Sequence, residues 1–131
     1  MTQQPAPDRA PVLHETSVVN VPGIFAGPCY EAVCTCGMIT NLNIPVEWSA
    51  RQFADAHEIM TFRAPPSPRY FVQGHGRPGN LSFHLNCHDC FDANRQAVGT
   101  WPQPQNPEAF RSLKADVHLA MVQHETEVHS R

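Results

Sequence analysis

Two cysteine pairs, Cys34-Thr35-Cys36-Gly37 and Cys87-His88-Asp89-Cys90, constrain this chain more than any other feature. A tetrahedral zinc ion takes four thiolate or imidazole ligands, usually delivered as two close pairs that each bite from one turn of backbone. Gly37 frees the amides after the first pair to turn toward sulfur. A helix start at the second pair suits Cys87 and Cys90, because the helix dipole favours thiolates there. Disulfides are the competing use of cysteine. The first residues, Met1 to Arg9, have neither an apolar stretch nor a basic start, so no secretory signal is expected. No apolar run approaches the ~20 residues of a membrane span. A cytoplasmic, reducing compartment follows as the expectation, and there paired cysteines point to metal.

With 131 residues the chain can bury roughly two thirds of its unfolded surface, enough for one domain without disulfides. Residues 1–12, rich in Pro, Gln and Ala, read as a flexible or extended arm. Thr16 to Val21 and Tyr30 to Thr35 read as strands, separated by Pro22-Gly23 and Gly27-Pro28. Residues 49–62 read as a helix with a Ser49/Gln52 capping box and an apolar face of Phe53, Ala56, Ile59 and Met60. The prolines from Pro65 to Pro68 end it. Tyr70 and Val72, then Leu81, Phe83 and Leu85 alternating with Ser82, His84 and Asn86, predict a hairpin with its tip near His75 to Gly79. Phe91 to Val98 reads as a short helix stopped by Gly99, and residues 100–106 as a Pro/Gln linker. Asn106, Pro107 and Glu108 open a last helix over 107–131, expected to pack on the 13–99 domain or on a partner. Phe110, Leu113, Val117, Ala120, Met121, His124 and Val128 form its stripe.

The order knuckle, hairpin, then a cysteine pair at a helix start resembles the treble-clef zinc finger. The resemblance covers about Tyr30 to Gly99, with 38–68 as a helical insertion. It implies an α+β fold: a small zinc-stabilised core of knuckle, β-hairpin and short helix, with the C-terminal amphipathic helix added. It also implies Cys34, Cys36, Cys87 and Cys90 as one structural four-thiolate zinc site. The Cys-x-Cys-Gly knuckle departs from the commoner Cys-x-x-Cys-Gly, which leaves room for Cys29 in the first bite. His84 and His88 are alternates, either as ligands or as hydrogen-bond partners of the zinc-bound sulfur.

His57 stands at a distance from Cys36 that a site of two cysteines and two histidines tolerates, but its place beside Glu58 reads as surface or core lining. His118, His124 and His129 lack the i, i+4 spacing of a two-histidine metal site, and His124 reads as part of the packing stripe. Six of the thirteen cysteines and histidines, His14, Cys29, His57, His118, His124 and His129, thus need no function.

His75-Gly76-Arg77-Pro78, Asn80-Leu81 and Cys87-x-x-Cys90 also resemble the HNH nucleases, themselves treble clefs. That resemblance implies His75 as the water-activating base and a metal-holding position on the helix, near which Asn94 lies. Three departures weigh against activity: Gly74 precedes His75 where an acid or His is common, Phe91 stands where a His is common, and the gap to Asn80 is short. Arg69, Arg77 and Arg95 could meet phosphates, although an ordinary solvated face is the plainer reading. Net charge is −3 with a single Lys, a poor balance for non-specific nucleic-acid binding. The Arg-rich, Lys-poor composition resembles small actinobacterial or phage proteins in style. The expectation is a non-enzymatic zinc-binding adaptor with a protein partner, cytoplasmic or virion-associated. A nucleic-acid-binding finger or a degenerate nuclease is the alternative.

Overall fold

The computed structural model describes residues 14–21, 28–40, 44–90 and 97–129. The chain is α+β, with two small antiparallel sheets, a helix between them in sequence and a long C-terminal helix. The first sheet orders β1 (Thr16–Val21), β2 (Cys29–Cys34) and β3 (Gly37–Met38). The second orders β4 (Tyr70–His75), β5 (Ser82–Cys87) and β6 (Gly99–Pro102). Between them runs α1 (Glu47–Thr61), and the chain ends in α2 (Pro107–His124) followed by a π-helical turn, Glu125–His129.

The β4–β5 hairpin forms as its alternation predicts, with Val72 opposite Leu85 and Tyr70 opposite Cys87. Its tip turns at Gly76 and Gly79, whose φ of 98° and 90° lie where side chains with a Cβ are strained. Phe83 and Leu85 point inward and join Ile59, Tyr70, Leu81, Cys87, Leu113, Val117 and Met121 in one core. Each fully buried side chain of this size contributes about 2 kcal/mol. The core therefore spans α1, the second sheet and α2. Two polar links reinforce it. The imidazole of His118, 3% exposed, donates from Nε2 to the Ile59 carbonyl at 2.8 Å. Glu58 accepts from Thr16 of β1 and lies 3.8 Å from Lys114 of α2.

Four expectations need correction. The helix α1 starts at Glu47, two residues before Ser49, and no side chain caps its N-terminus, so the Ser49/Gln52 box is absent. Its buried residues are Ala50, Ala54 and Ile59, while Phe53 is exposed, because small side chains let α1 approach both sheets. Gly99–Pro102 is not linker but strand β6, paired with β5 through Phe83 and Trp101. Val128 is exposed, because the π turn carries it off the α2 stripe. Asn106 caps α2 as expected, accepting from the Ala109 amide at 2.7 Å. The arm over 1–12 lies outside the described residues, as does the Phe91–Val98 helix except for Ala97 and Val98.

Burial raises the Asp55 pKa to about 6, against the pull of Arg51 and Lys114 and with help from Glu58. The folded state therefore binds a proton more tightly than the unfolded chain, and this contribution to stability falls as pH rises from about 4 through 6. Asp55→Asn should raise the melting temperature at pH 7, and the gain over the parent should shrink below pH 5, read by thermal circular dichroism.

Candidate metal centres

The four paired cysteines do not converge. Among the described residues they fall into two groups, His14–Cys34–Cys36–His57 and Cys87–Cys90–His124–His129, each with its four donor atoms within 4.8 Å of one another.

The N-terminal group is assembled by the first sheet and α1. Thr35 and Cys36 form the two-residue turn between β2 and β3, with Cys34 paired to Gly37. Gly37 has φ 139°, which explains the glycine after the pair. The Thr35 amide donates to the Glu15 carbonyl at 3.1 Å, and the Glu15 amide to the Thr35 hydroxyl at 3.3 Å. These bonds hold the segment before β1 against the turn, so that His14 Nδ1 lies 3.3 Å from Cys34 Sγ. From α1, His57 Nε2 reaches within 3.4 Å of Cys36 Sγ, and the two rings meet edge-on at 5.2 Å. Burial opposes ionisation of Cys34. The Cys36 backbone amide, His14, the Cys36 thiol and Thr35 outweigh it and bring the pKa to about 6. Beside that thiolate Cys36 is held up, chiefly by its hydrogen bond to Cys34. One proton of the pair is thus already easy to displace by a metal.

The C-terminal group joins the end of β5 to the end of α2. Cys87 closes β5 and Cys90 lies on the helical turn that follows. His124 Nε2 stands 3.4 Å from Cys90 Sγ, and His129 Nε2 stands 3.4 Å from Cys87 Sγ and 3.6 Å from Cys90 Sγ. Residues five apart diverge by about 140° around an α-helix. In the i→i+5 winding of a π turn they come nearly into line, and the rings lie 5.0 Å apart. The start of β4 anchors this turn. Tyr70 donates to Glu125 at 2.9 Å, while Arg69 reaches Glu125 at 3.4 Å, Asp89 at 2.9 Å and His129 Nδ1 at 2.8 Å. With His129 Nε2 on a metal the ring proton moves to Nδ1, and Arg69 is left to Asp89, Glu125 and Ser67. Burial raises the Cys90 pKa, as do Cys87 and Asp89. Burial lowers that of His124, as do the neighbouring His129 and Arg69. A neutral imidazole is the form that ligates.

Bond lengths near 2.3 Å to sulfur and 2.05 Å to nitrogen put the sulfur–nitrogen edge of a tetrahedral zinc site at about 3.6 Å. The five contacts, 3.3 to 3.6 Å, match that edge. Both groups can hold a metal ion.

The other expected site residues lie elsewhere. His84 bonds Ser82 at 3.2 Å and stacks on His75 at 4.1 Å, and burial lowers its pKa. His88 is exposed against Phe71, and Cys29 starts β2, at the opposite end from Cys34. His75 is exposed and in neither group. Asn94 and Arg95 lie outside the described residues. Sequence reasoning missed His14, His57, His124 and His129 as candidate ligands. The readable signal was Cys87-x-x-Cys90 with His124-x4-His129, a histidine spacing common in Cys2His2 sites. No protein-family model, curated protein or solved structure matches the chain.

Titration of the metal-free chain with cobalt(II) should develop the visible bands of tetrahedral S2N2 coordination up to two equivalents. His129→Gln should stop the titration at one.

Proposed function

We propose that the chain is a zinc-binding accessory protein without enzymatic activity, which acts through protein–protein contacts on a scaffold held by two Cys2His2 sites. One observation carries this reading. Each group offers four protein donors within 4.8 Å of one another, with sulfur–nitrogen contacts of tetrahedral length, enough to fill a four-coordinate ion without water or substrate. Catalytic zinc keeps such a position, and structural zinc does not. Tetrahedral S2N2 donor sets also select zinc among the common divalent ions.

The hairpin that delivers Cys87, followed by a helical turn with Cys90, supports a finger-type unit. In it His124 and His129 take the part that the treble-clef resemblance gives to the knuckle pair Cys34 and Cys36. A structural zinc contributes on the order of 10 kcal/mol, comparable to the whole stability of a small domain, about 5–15 kcal/mol. The metal is then a condition of the fold. The outward-facing Leu119 and Val122 of α2 support a protein partner, and the composition suits an actinobacterial or phage assembly. Arg69 is engaged with Asp89 and Glu125, which leaves little of a phosphate track.

Elemental analysis of the purified chain should give two zinc per chain. Cys87→Ser should remove at least one of them together with cooperative unfolding; a stable, metal-free parent protein overturns the zinc reading. Affinity capture should recover a defined partner whose binding weakens in Leu119→Asp. A monomer that captures nothing overturns the adaptor reading.

A further inference from the structure

The two centres differ in how they meet solvent. In the C-terminal group Cys87 is fully buried and belongs to the hydrophobic core beside Tyr70, Leu85 and Met121. In the N-terminal group Cys36 is exposed, at the tip of the β2–β3 turn, and His14 arrives on the segment that precedes β1. An oxidant or a competing chelator can reach Cys36 without disturbing the core; in the C-terminal group Cys90 is half-buried but Cys87 is fully enclosed, so joining those two thiols requires the core to open.

Cys36 is exposed while its partner Cys34 is buried, and their spacing adds a chemical consequence. Cys34 and Cys36 are two residues apart across a tight turn, so their Cα atoms are separated by roughly 5–7 Å, largely within disulfide range. Their sulfurs already lie within 4.8 Å. Closing the bond to about 2.05 Å then asks for side-chain rotation and little backbone movement. Cys29 does not compete, because it sits at the far end of the same strand, about 16 Å away by strand rise.

We propose that the N-terminal centre is a releasable zinc site, discharged by hydrogen peroxide through a Cys34–Cys36 disulfide, while the C-terminal centre keeps its ion. This rests on the reading that both centres hold zinc. One thiolate attacks peroxide, the O–O bond breaks and a sulfenic acid forms with release of one water. The second thiolate then attacks that sulfur and expels the second water. In sum, two zinc-bound thiolates, one peroxide and two solvent protons give one disulfide, two waters and free Zn2+. Sulfur supplies the two electrons and peroxide accepts them. A neutral disulfide is a poor zinc ligand, so His14 and His57 alone do not retain the ion. The consequence is a chain that yields one zinc per oxidation event while α2 stays docked on the second sheet.

The test uses the full chain loaded with two zinc. Peroxide is added in steps, released zinc is read with a colorimetric chelator, and native mass spectrometry counts what remains. Peptide mapping locates the disulfide, and far-ultraviolet circular dichroism follows the fold. One zinc should leave with formation of a Cys34–Cys36 bridge and unchanged helix content. The other should leave at least about tenfold more slowly, because a Cys87–Cys90 bridge needs the fully buried Cys87 to become accessible. Reductant and added zinc should restore the starting state. In Cys36→Ser, which leaves the core untouched, the zinc that stays bound should be insensitive to the same peroxide. Joint loss of both ions, first oxidation at Cys87–Cys90, or release without a Cys34–Cys36 bridge overturns the proposal. A chain that carries no zinc before peroxide is added overturns the zinc reading itself, and that result is visible before the oxidation begins.

Discussion

The rest of the structure depends on the meeting of β5 with the end of α2, where Cys87 and Cys90 face His124 and His129. The C-terminal helix already shares the core through Leu113, Val117 and Met121, but apolar contact alone is non-directional and leaves its axial position loosely fixed. The sulfur–imidazole contacts, with Tyr70 and Arg69 on Glu125, supply the direction. They also account for the local change of winding. A regular α-helix would send His129 away from Cys87, and the π turn recovers it.

The N-terminal centre plays the same part for the first sheet at a lower degree of burial. That sheet has only a two-residue third strand and a hairpin turn at its end, and small sheets of this kind are marginal alone. His57 from α1 and His14 from the segment before β1 meet Cys36 and Cys34 at its open end and bring it to the helix. Glu58 provides a second tie, from Thr16 through α1 to Lys114. The two halves of the chain are thus joined by packing on α1, and each carries one candidate metal centre.

Much of the fold was legible because it obeys local rules. Period-two alternation located the β4–β5 hairpin, and the Asn106-Pro107 cap located the start of α2. The α1 start was misread because Val46 precedes it with no side-chain cap, so no local signal marks the boundary. The centres were half legible. Close cysteine pairs announced metal chemistry, but pairing them with each other assumed that one ion takes both. Their partners are set by tertiary contacts: His14 by backbone bonds to Thr35, His57 by the packing of α1, and His129 by a winding that α-helical periodicity does not anticipate. The i, i+4 rule that set His124 and His129 aside holds for regular helices only.

Charge explains why two mixed centres suit this chain better than one four-thiolate centre. Zinc with four thiolates carries a formal charge of −2, and burying it requires nearby cations or several amide donors. The chain has a single Lys and a net charge of −3, and among the described residues Arg69 is a cation close to the C-terminal group, bonded to His129 and opposing the rise in the Cys90 pKa. Two thiolates and two neutral imidazoles would give a bound zinc ion zero formal charge, which a core containing Phe83, Leu85 and Met121 could adjoin without a large desolvation penalty. Burial lowers the pKa of His124 and so favours the neutral imidazole that this balance requires. Dividing the four cysteines between two groups therefore leaves only Cys34 and Cys87 buried, each beside imidazoles rather than three further thiols.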